Sequence, residues 1–155
     1  MEYELHDGNG IVKEYCNDTF KLIFEGEYKN GKRNGNGREF NDKILKFEGK
    51  YLNGKRNGKG MEYNTSGNKI IFEGEYLNDK RNKKGKEYNT KGNLIFEGEY
   101  INNIRNGKGR EYNTKGNLIF EGEYINNIRN GKGKEYDIKG NIIFDGNYIN
   151  GERNI

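Results

Sequence analysis

The sequence repeats itself with a period of about 24 residues, and this periodicity restricts the possible folds more than any other feature. A phenylalanine recurs at this spacing, a tyrosine follows it four residues later, and a glycine stands midway between them. The three positions recur as Phe24, Gly26 and Tyr28; Phe47, Gly49 and Tyr51; Phe72, Gly74 and Tyr76; Phe96, Gly98 and Tyr100; Phe120, Gly122 and Tyr124; and Phe144, Gly146 and Tyr148. Because each unit of a repeat protein packs mainly on its neighbours, we expect an array of similar units rather than one globule.

Residues 94–101 have the alternation of a β-strand. Side chains of a strand point to two faces in turn, so Phe96, Gly98 and Tyr100 share one face, and Glu97 and Glu99 share the other. A glycine inside a strand weakens it unless another group approaches closely. We therefore predict that an aromatic ring from a neighbouring strand lies over Gly98, and that the repeated Phe, Gly and Tyr positions form a structural ladder.

The composition argues against helices. Glycine accounts for 24 of the 155 residues, and glycine and asparagine both disfavour helix interiors. Asn-Gly pairs mark tight turns, because both residues tolerate positive φ. Each unit is thus predicted to be a β-hairpin, and the all-β chain an elongated single-layer antiparallel meander or solenoid of about 12 strands. We expect residues 1–19 to be an atypical N-terminal half repeat or cap, and residues 20–155 to be the repeat array, ending in an incomplete repeat.

Basic residues follow each tyrosine of the repeat, although the net charge is only +4. Equivalent segments of a solenoid align on one edge. These basic residues are therefore predicted to form a basic rail about 50 Å long. Its members are Lys32, Arg33, Lys55, Arg56, Lys80, Arg81, Arg105, Lys108, Arg129 and Lys132. The rail is either a solvated edge that discourages aggregation or a site for an anionic partner. On both interpretations, reversing the charge of its five arginines is expected to leave the fold intact.

The sequence predicts no catalytic, metal-binding or cofactor-binding residues. The Gly-x-Gly pairs lack the strand–turn–helix context of a dinucleotide site, and the repeated Glu-x-Glu pairs are predicted to be a solvated charge ladder. His6 and Cys16 are the single histidine and cysteine, too few for a transition-metal site. The aromatic residues are expected to pack on glycine, so a nucleic acid partner is not expected. The N-terminus lacks the basic and apolar regions of a signal peptide, which favours a cytoplasmic location.

The motif Phe-Glu-Gly-Glu-Tyr, followed by Asn-Gly-Lys-Arg-Asn-Gly-Lys-Gly, which ends in Gly-x-Gly, resembles the MORN repeat. The resemblance runs from about residue 20 to the C-terminus as five units and a partial sixth, and residues 8–15 are similar to the second half of a preceding unit. The second aromatic, most often tryptophan in that family, is tyrosine here. The resemblance implies a non-enzymatic scaffold or protein–protein interaction module, associated in some cases with membrane or cytoskeleton. Two alternatives remain: peripheral binding to anionic phospholipids, and a targeting module of a larger enzyme.

The last unit is expected to leave an open edge along residues 142–148. No proline or lysine protects that strand, and an exposed edge invites strand addition. The sequence therefore predicts a homodimer, or pairing with a strand of a protein partner, through this edge.

Overall fold

The computed structural model describes the backbone of residues 2–155 and the side chains of residues 7–155. Within that range the chain forms 14 β-strands and no helix, which confirms the predicted all-β class. The strands are β1 (Glu2–His6), β2 (Asn9–Tyr15), β3 (Leu22–Lys29), β4 (Lys32–Asn41), β5 (Ile44–Leu52), β6 (Lys55–Tyr63), β7 (Ile70–Leu77), β8 (Lys80–Tyr88), β9 (Leu94–Ile101), β10 (Ile104–Tyr112), β11 (Leu118–Ile125), β12 (Ile128–Tyr136), β13 (Ile142–Ile149) and β14 (Glu152–Asn154).

The chain divides into two compact units, Met1–Lys80 and Arg81–Ile155. In the first unit each strand from β1 to β7 pairs antiparallel with the next. In the second unit the same is true from β8 to β14. Each unit is therefore an open antiparallel meander, as the repeat pattern predicts. The cap role expected for residues 1–19 stays a prediction.

Two short polar segments follow the tyrosine of each repeat, and only the first of them is a turn. Asn102 and Asn103 have φ values of 51° and 72°, the two positive angles of a type I′ hairpin. The prediction that Asn-Gly pairs mark tight turns is wrong for the pair that follows, Asn106 and Gly107. Gly107, with φ 110°, lies in a β-bulge where the register shifts between Arg105 and Gly109. The return strand β10 consequently begins at Ile104, directly after a two-residue turn.

The described residues form more strands than the predicted dozen, because an additional strand pairs at each end of the chain. At the N-terminal end β1 and β2 form a hairpin around Asp7 and Gly8, both with positive φ. At the C-terminal end β14 pairs with Asn147, Tyr148 and Ile149 of β13. The edge of β13 is thus partly covered by β14, and pairing with a second copy there stays a prediction.

The core of a full repeat, such as the one formed by β9 and β10, is one phenylalanine ring lying over two glycines. Phe96 is fully buried, and its ring covers Gly98 and Gly109, which pair across β9 and β10. Tyr100 and Tyr124 pack on the same ring edge-on, with centroid distances of 5.8 and 5.2 Å. The ring over Gly98 comes from its own strand rather than a neighbouring one, because the phenylalanine two residues earlier leans along the strand. We call this side the Phe face and the opposite side the Glu face.

Adjacent hairpin tips are bonded to each other. The backbone N–H of Asn127 donates to the carbonyl oxygen of Arg105 at 3.0 Å. The side-chain Oδ1 of Asn127 accepts the N–H of Arg105 at 2.8 Å. A carbonyl and an N–H that a lone hairpin would leave to solvent are thereby satisfied by the next repeat.

Lys83 stands in the bulge position that glycine occupies elsewhere, and its φ is 57°. A side chain in the left-handed region costs about 1–2 kcal/mol, so we predict that Lys83→Gly stabilises the protein by about 1 kcal/mol. Lys83→Ala removes the same side chain but keeps the strain, and is the matched control. Urea midpoints measure both variants, and a Lys83→Gly midpoint no higher than that of Lys83→Ala would contradict the prediction.

Candidate interaction surfaces

A glutamate, a tyrosine and an arginine form a repeated network on the Phe face. The Arg105 guanidinium lies 4.0 Å above the centroid of the Phe96 ring. Its Nε and Nη2 donate to the two carboxylate oxygens of Glu87 at 3.0 and 2.7 Å, and the Tyr100 hydroxyl donates to Glu87 at 2.6 Å. The same set recurs as Glu14, Tyr28, Arg33 and Phe24; Glu39, Tyr51, Arg56 and Phe47; Glu111, Tyr124, Arg129 and Phe120; and Glu135, Tyr148, Arg153 and Phe144.

The network is largely shielded from solvent. The side chains of Arg105 and Glu87 are only 23% and 20% exposed. Burial alone would raise the pKa of Glu87, but hydrogen bonds from Arg105 and Tyr100 outweigh it, and the net shift lowers the pKa. Burial and the bond to Glu87 raise the pKa of Tyr100. Each carboxylate is thus held ionised and each phenol neutral, which is the state that the bidentate pair requires.

The residues of the predicted basic rail therefore fall into two sets. The prediction that the arginines lie on a solvated edge is wrong. Arg33, Arg56, Arg105 and Arg129 are ion-paired beneath the surface, and Arg81 is also partly buried. The cause is the two-residue turn, which places each arginine opposite a core tyrosine. The lysines are exposed and join no ion pair among the described residues; they are Lys32, Lys55, Lys80, Lys108 and Lys132.

The Glu-x-Glu pairs on the Glu face have defined partners and are not merely solvated. One oxygen of Glu99 accepts the backbone N–H of Lys108 at 2.7 Å, which fastens the bulge. Glu97 accepts the hydroxyl of Tyr112 at 2.6 Å and pairs with Arg110 at 3.6 Å. The fixed distance of nine residues from Glu99 to Lys108, repeated in other units, is the sequence signal for this role.

The last residue of each outgoing strand from β5 to β13 is an aliphatic side chain left half-exposed on the Glu face. Its exposure is nearly constant, at 49% for Leu52 and Leu77, 50% for Ile101 and Ile125, and 54% for Ile149. The residue paired with it across the turn differs between the units. Lys55 faces Leu52 in the first unit, whereas Ile104 and Ile128 face Ile101 and Ile125 in the second.

Other singled-out residues are placed as follows. Gly107 forms the bulge and Gly109 lies under Phe96, so this Gly-x-Gly pair shapes the strand. Cys16 lies in the β2–β3 loop, and His6 lies outside the described side chains. Across residues 7–155 no three histidine, cysteine or acidic side chains are grouped to hold a metal ion. None of the described segments is a helix long and apolar enough to cross a membrane.

The pKa shifts predict a stability plateau at neutral pH. Because the pKa values of Glu39, Glu87 and Glu111 are lowered in the folded chain, these glutamates stabilise the fold above pH 4.5, which is their ordinary pKa. This stabilisation is lost as the pH falls through the lowered pKa values. The pKa of Tyr112 is raised to about 12 by burial and by Glu97. Tyrosines with a raised pKa contribute fully to the stability of the fold below about pH 10, and this contribution is lost as the pH rises toward 12.

Melting temperature measured from pH 3 to pH 11 at constant ionic strength checks this expectation. The melting temperature should fall on both sides of the plateau, and Tyr112→Phe should reduce the alkaline loss. An unchanged melting temperature between pH 7 and pH 3 would show that the glutamates are not bonded in this way.

Comparison with known proteins identifies the repeat. A family model described as the MORN repeat matches residues 24–42, 47–69, 72–94, 96–118 and 120–142, which together exceed half of the chain. No curated protein is similar enough to the chain to match it. MORN repeats are generally non-catalytic and are commonly interaction modules for proteins or membranes. The five tandem matches coincide with the hairpins described above, and the chain belongs to the MORN-repeat family.

Proposed function

We propose that the protein is a non-enzymatic scaffold that presents one surface several times over to protein partners. The observation that carries this proposal is the near-constant exposure of the aliphatic residue ending each outgoing strand, from Leu52 to Ile149. Repeated apolar side chains beside charged ones are suited to protein interfaces. A cytoplasmic location, with attachment to membrane or cytoskeleton through such partners, is part of the same proposal.

Affinity purification from the native source tests the scaffold. The native chain is compared with a variant carrying serine at Leu52, Leu77, Ile101, Ile125 and Ile149. The control carries serine at Phe20 and Ile138, which are 82% and 78% exposed in loops. We expect proteins that the native chain and the control retain in detergent to be lost from the variant. Retention of the same proteins by all three chains would exclude this surface.

A second candidate function is peripheral binding to anionic phospholipid. It is favoured by the first unit, where exposed Lys55 stands beside half-exposed Leu52 at a hairpin tip. Lys29 and Lys32 also pair across a tip there. An apolar side chain flanked by lysine suits the boundary between headgroups and acyl chains.

Co-sedimentation with vesicles tests this alternative. Vesicles of phosphatidylcholine alone are compared with vesicles that also contain phosphatidylserine, at low and high salt. If the membrane is the partner, the chain sediments with the anionic vesicles, and Lys29→Glu with Lys32→Glu and Lys55→Glu weakens binding at least tenfold. Absence of binding at low salt would exclude this alternative.

A further inference from the structure

The Glu face of the second unit carries opposite charges on alternate strands. Outgoing strands β9 and β11 bear Glu97, Glu99, Glu121 and Glu123, whereas return strands β10 and β12 bear Lys108, Arg110, Lys132 and Lys134. The ladder pairs Lys108 with Glu123 and Arg110 with Glu121. Two charged rows therefore cross the strands, each alternating in sign from one strand to the next.

An uncharged row borders the charged rows on either side. The tip row consists of Ile101, Ile104, Ile125 and Ile128, of which Ile101, Ile125 and Ile128 are 50%, 50% and 46% exposed. The far row alternates isoleucine and tyrosine, as Ile95, Tyr112, Ile119 and Tyr136. No segment among the described residues of the second unit covers this face, and half-exposed isoleucines in a row mark an interaction surface.

Resting on the proposed scaffold function, in which Ile101 and Ile125 meet a protein partner, we propose that the partner of the second unit is a second copy of this chain, bound Glu face to Glu face about a two-fold axis that runs parallel to the strands between β10 and β11. Rotation about this axis leaves every row at the same position along the strand direction and reverses the order of the strands. The β9 strand of one copy then lies over β12 of the other, and β10 lies over β11.

This reversal brings opposite charges together throughout both charged rows. Because outgoing strands are acidic and return strands are basic, each strand meets one of the other sign. The facing charged pairs are Glu99 with Lys132, Lys108 with Glu123, Glu97 with Lys134, and Arg110 with Glu121. The uncharged rows match as well, with Ile101 on Ile128, Ile104 on Ile125, Ile95 on Tyr136, and Tyr112 on Ile119.

The other two-fold arrangement of the same faces is excluded by charge. An in-plane axis perpendicular to the strands would keep the strand order and exchange the rows, so that Glu99 would face Glu97 and Lys108 would face Arg110. Like charges opposed across an interface are costly. Only the strand-reversing axis is compatible with the charge pattern, and it gives a closed, isologous dimer.

The exposed groups on this face are able to make the new contacts. Lys108 and Lys132 join no ion pair among the described residues. Glu99 and Glu123 use one carboxylate oxygen, Oε2, for a backbone N–H, and the other oxygen can accept a lysine of the partner. The face spans about six full strands of about eight residues, on the order of 800 Å² per copy, which is the size of a standard stable interface.

Light scattering and sedimentation of three chains test the proposal. The native chain is expected to show about twice the 18.0 kDa chain mass. Lys108→Glu with Lys132→Glu makes one charged row entirely acidic, so that variant should dissociate at least a hundredfold more readily. Lys115→Glu with Lys139→Glu makes the same change of net charge in exposed loops away from the face, and should stay dimeric. Equal melting temperatures of the two variants at low protein concentration show that both fold.

Each alternative outcome overturns the proposal. A native chain that remains monomeric at high micromolar concentration excludes the dimer. A dimer that survives Lys108→Glu with Lys132→Glu but dissociates on Phe144→Lys is formed by the C-terminal edge instead. Equal weakening by the loop variant would show a response to net charge rather than to this face.

Discussion

Gly98→Val is expected to destabilise the protein by more than about 3 kcal/mol, one of the two largest effects anticipated here. A Cβ atom at Gly98 would lie 2.7 Å from each of three atoms: the Cα of Gly109, the backbone oxygen of Lys108, and the tip of the Phe96 ring. Two of these atoms are backbone of the neighbouring strand, so no rotamer change relieves the overlap. Valine adds two methyl groups, and either the strands separate or the ring leaves the core.

Lys108→Ala is the matched control for this substitution. Lys108 lies on the return strand paired with β9, but its side chain is exposed, so its removal should change the free energy of unfolding by less than about 0.5 kcal/mol. Denaturant unfolding of both variants, at a protein concentration low enough to keep the chain monomeric, measures the difference. Equal midpoints would mean that Phe96 does not need the space above Gly98.

The second large effect comes from charge reversal of the arginine set. Changing Arg33, Arg56, Arg81, Arg105 and Arg129 to glutamate should unfold the chain, contrary to the expectation drawn from sequence alone. Each reversal sets a carboxylate against a half-buried one and costs about 2 kcal/mol. Five of them approach the entire stability of about 5–15 kcal/mol of a typical domain.

Changing Lys32, Lys55, Lys80, Lys108 and Lys132 to glutamate alters the net charge by the same amount and is the control. These side chains are exposed and make no ion pair among the described residues, so this chain should stay folded. Circular dichroism and thermal melting distinguish the two variants. A folded arginine variant would show that the network on the Phe face contributes little.

The sequence predicts the strands and the core well because the spacing itself encodes them. Alternation places Phe96 and Tyr100 on one face, and a glycine at every midpoint implies that something covers it. The source of the covering ring could not be predicted, because a ring from the next strand and one from the same strand leave the same spacing. The direction in which Phe96 leans is decided by packing in three dimensions.

The arginines were misplaced for a reason that is visible in the backbone. Two asparagine-containing segments follow the tyrosine of each repeat, and the residues of both tolerate positive φ. Sequence alone does not show that Asn102 and Asn103 form the turn while Gly107 forms a bulge. Once the turn is two residues long, Arg105 is paired with Tyr100 and must share its face. A shift of one residue would have moved it to the other face.

The contacts between successive repeats also determine how the length of such a chain can change. Glu87 receives its hydrogen bonds from Tyr100 and Arg105 of the following repeat, and Glu111 from Tyr124 and Arg129, so these junctions of the second unit use the same residue types on both sides. Residues 89–112 and 113–136 differ at a single position. Excision of residues 113–136 would leave Glu111 to bind Tyr148 and Arg153 in place of Glu135. Gain or loss of whole repeats by recombination therefore preserves these junctions, whereas loss of a single strand removes the acceptor from one arginine or the donors from one glutamate.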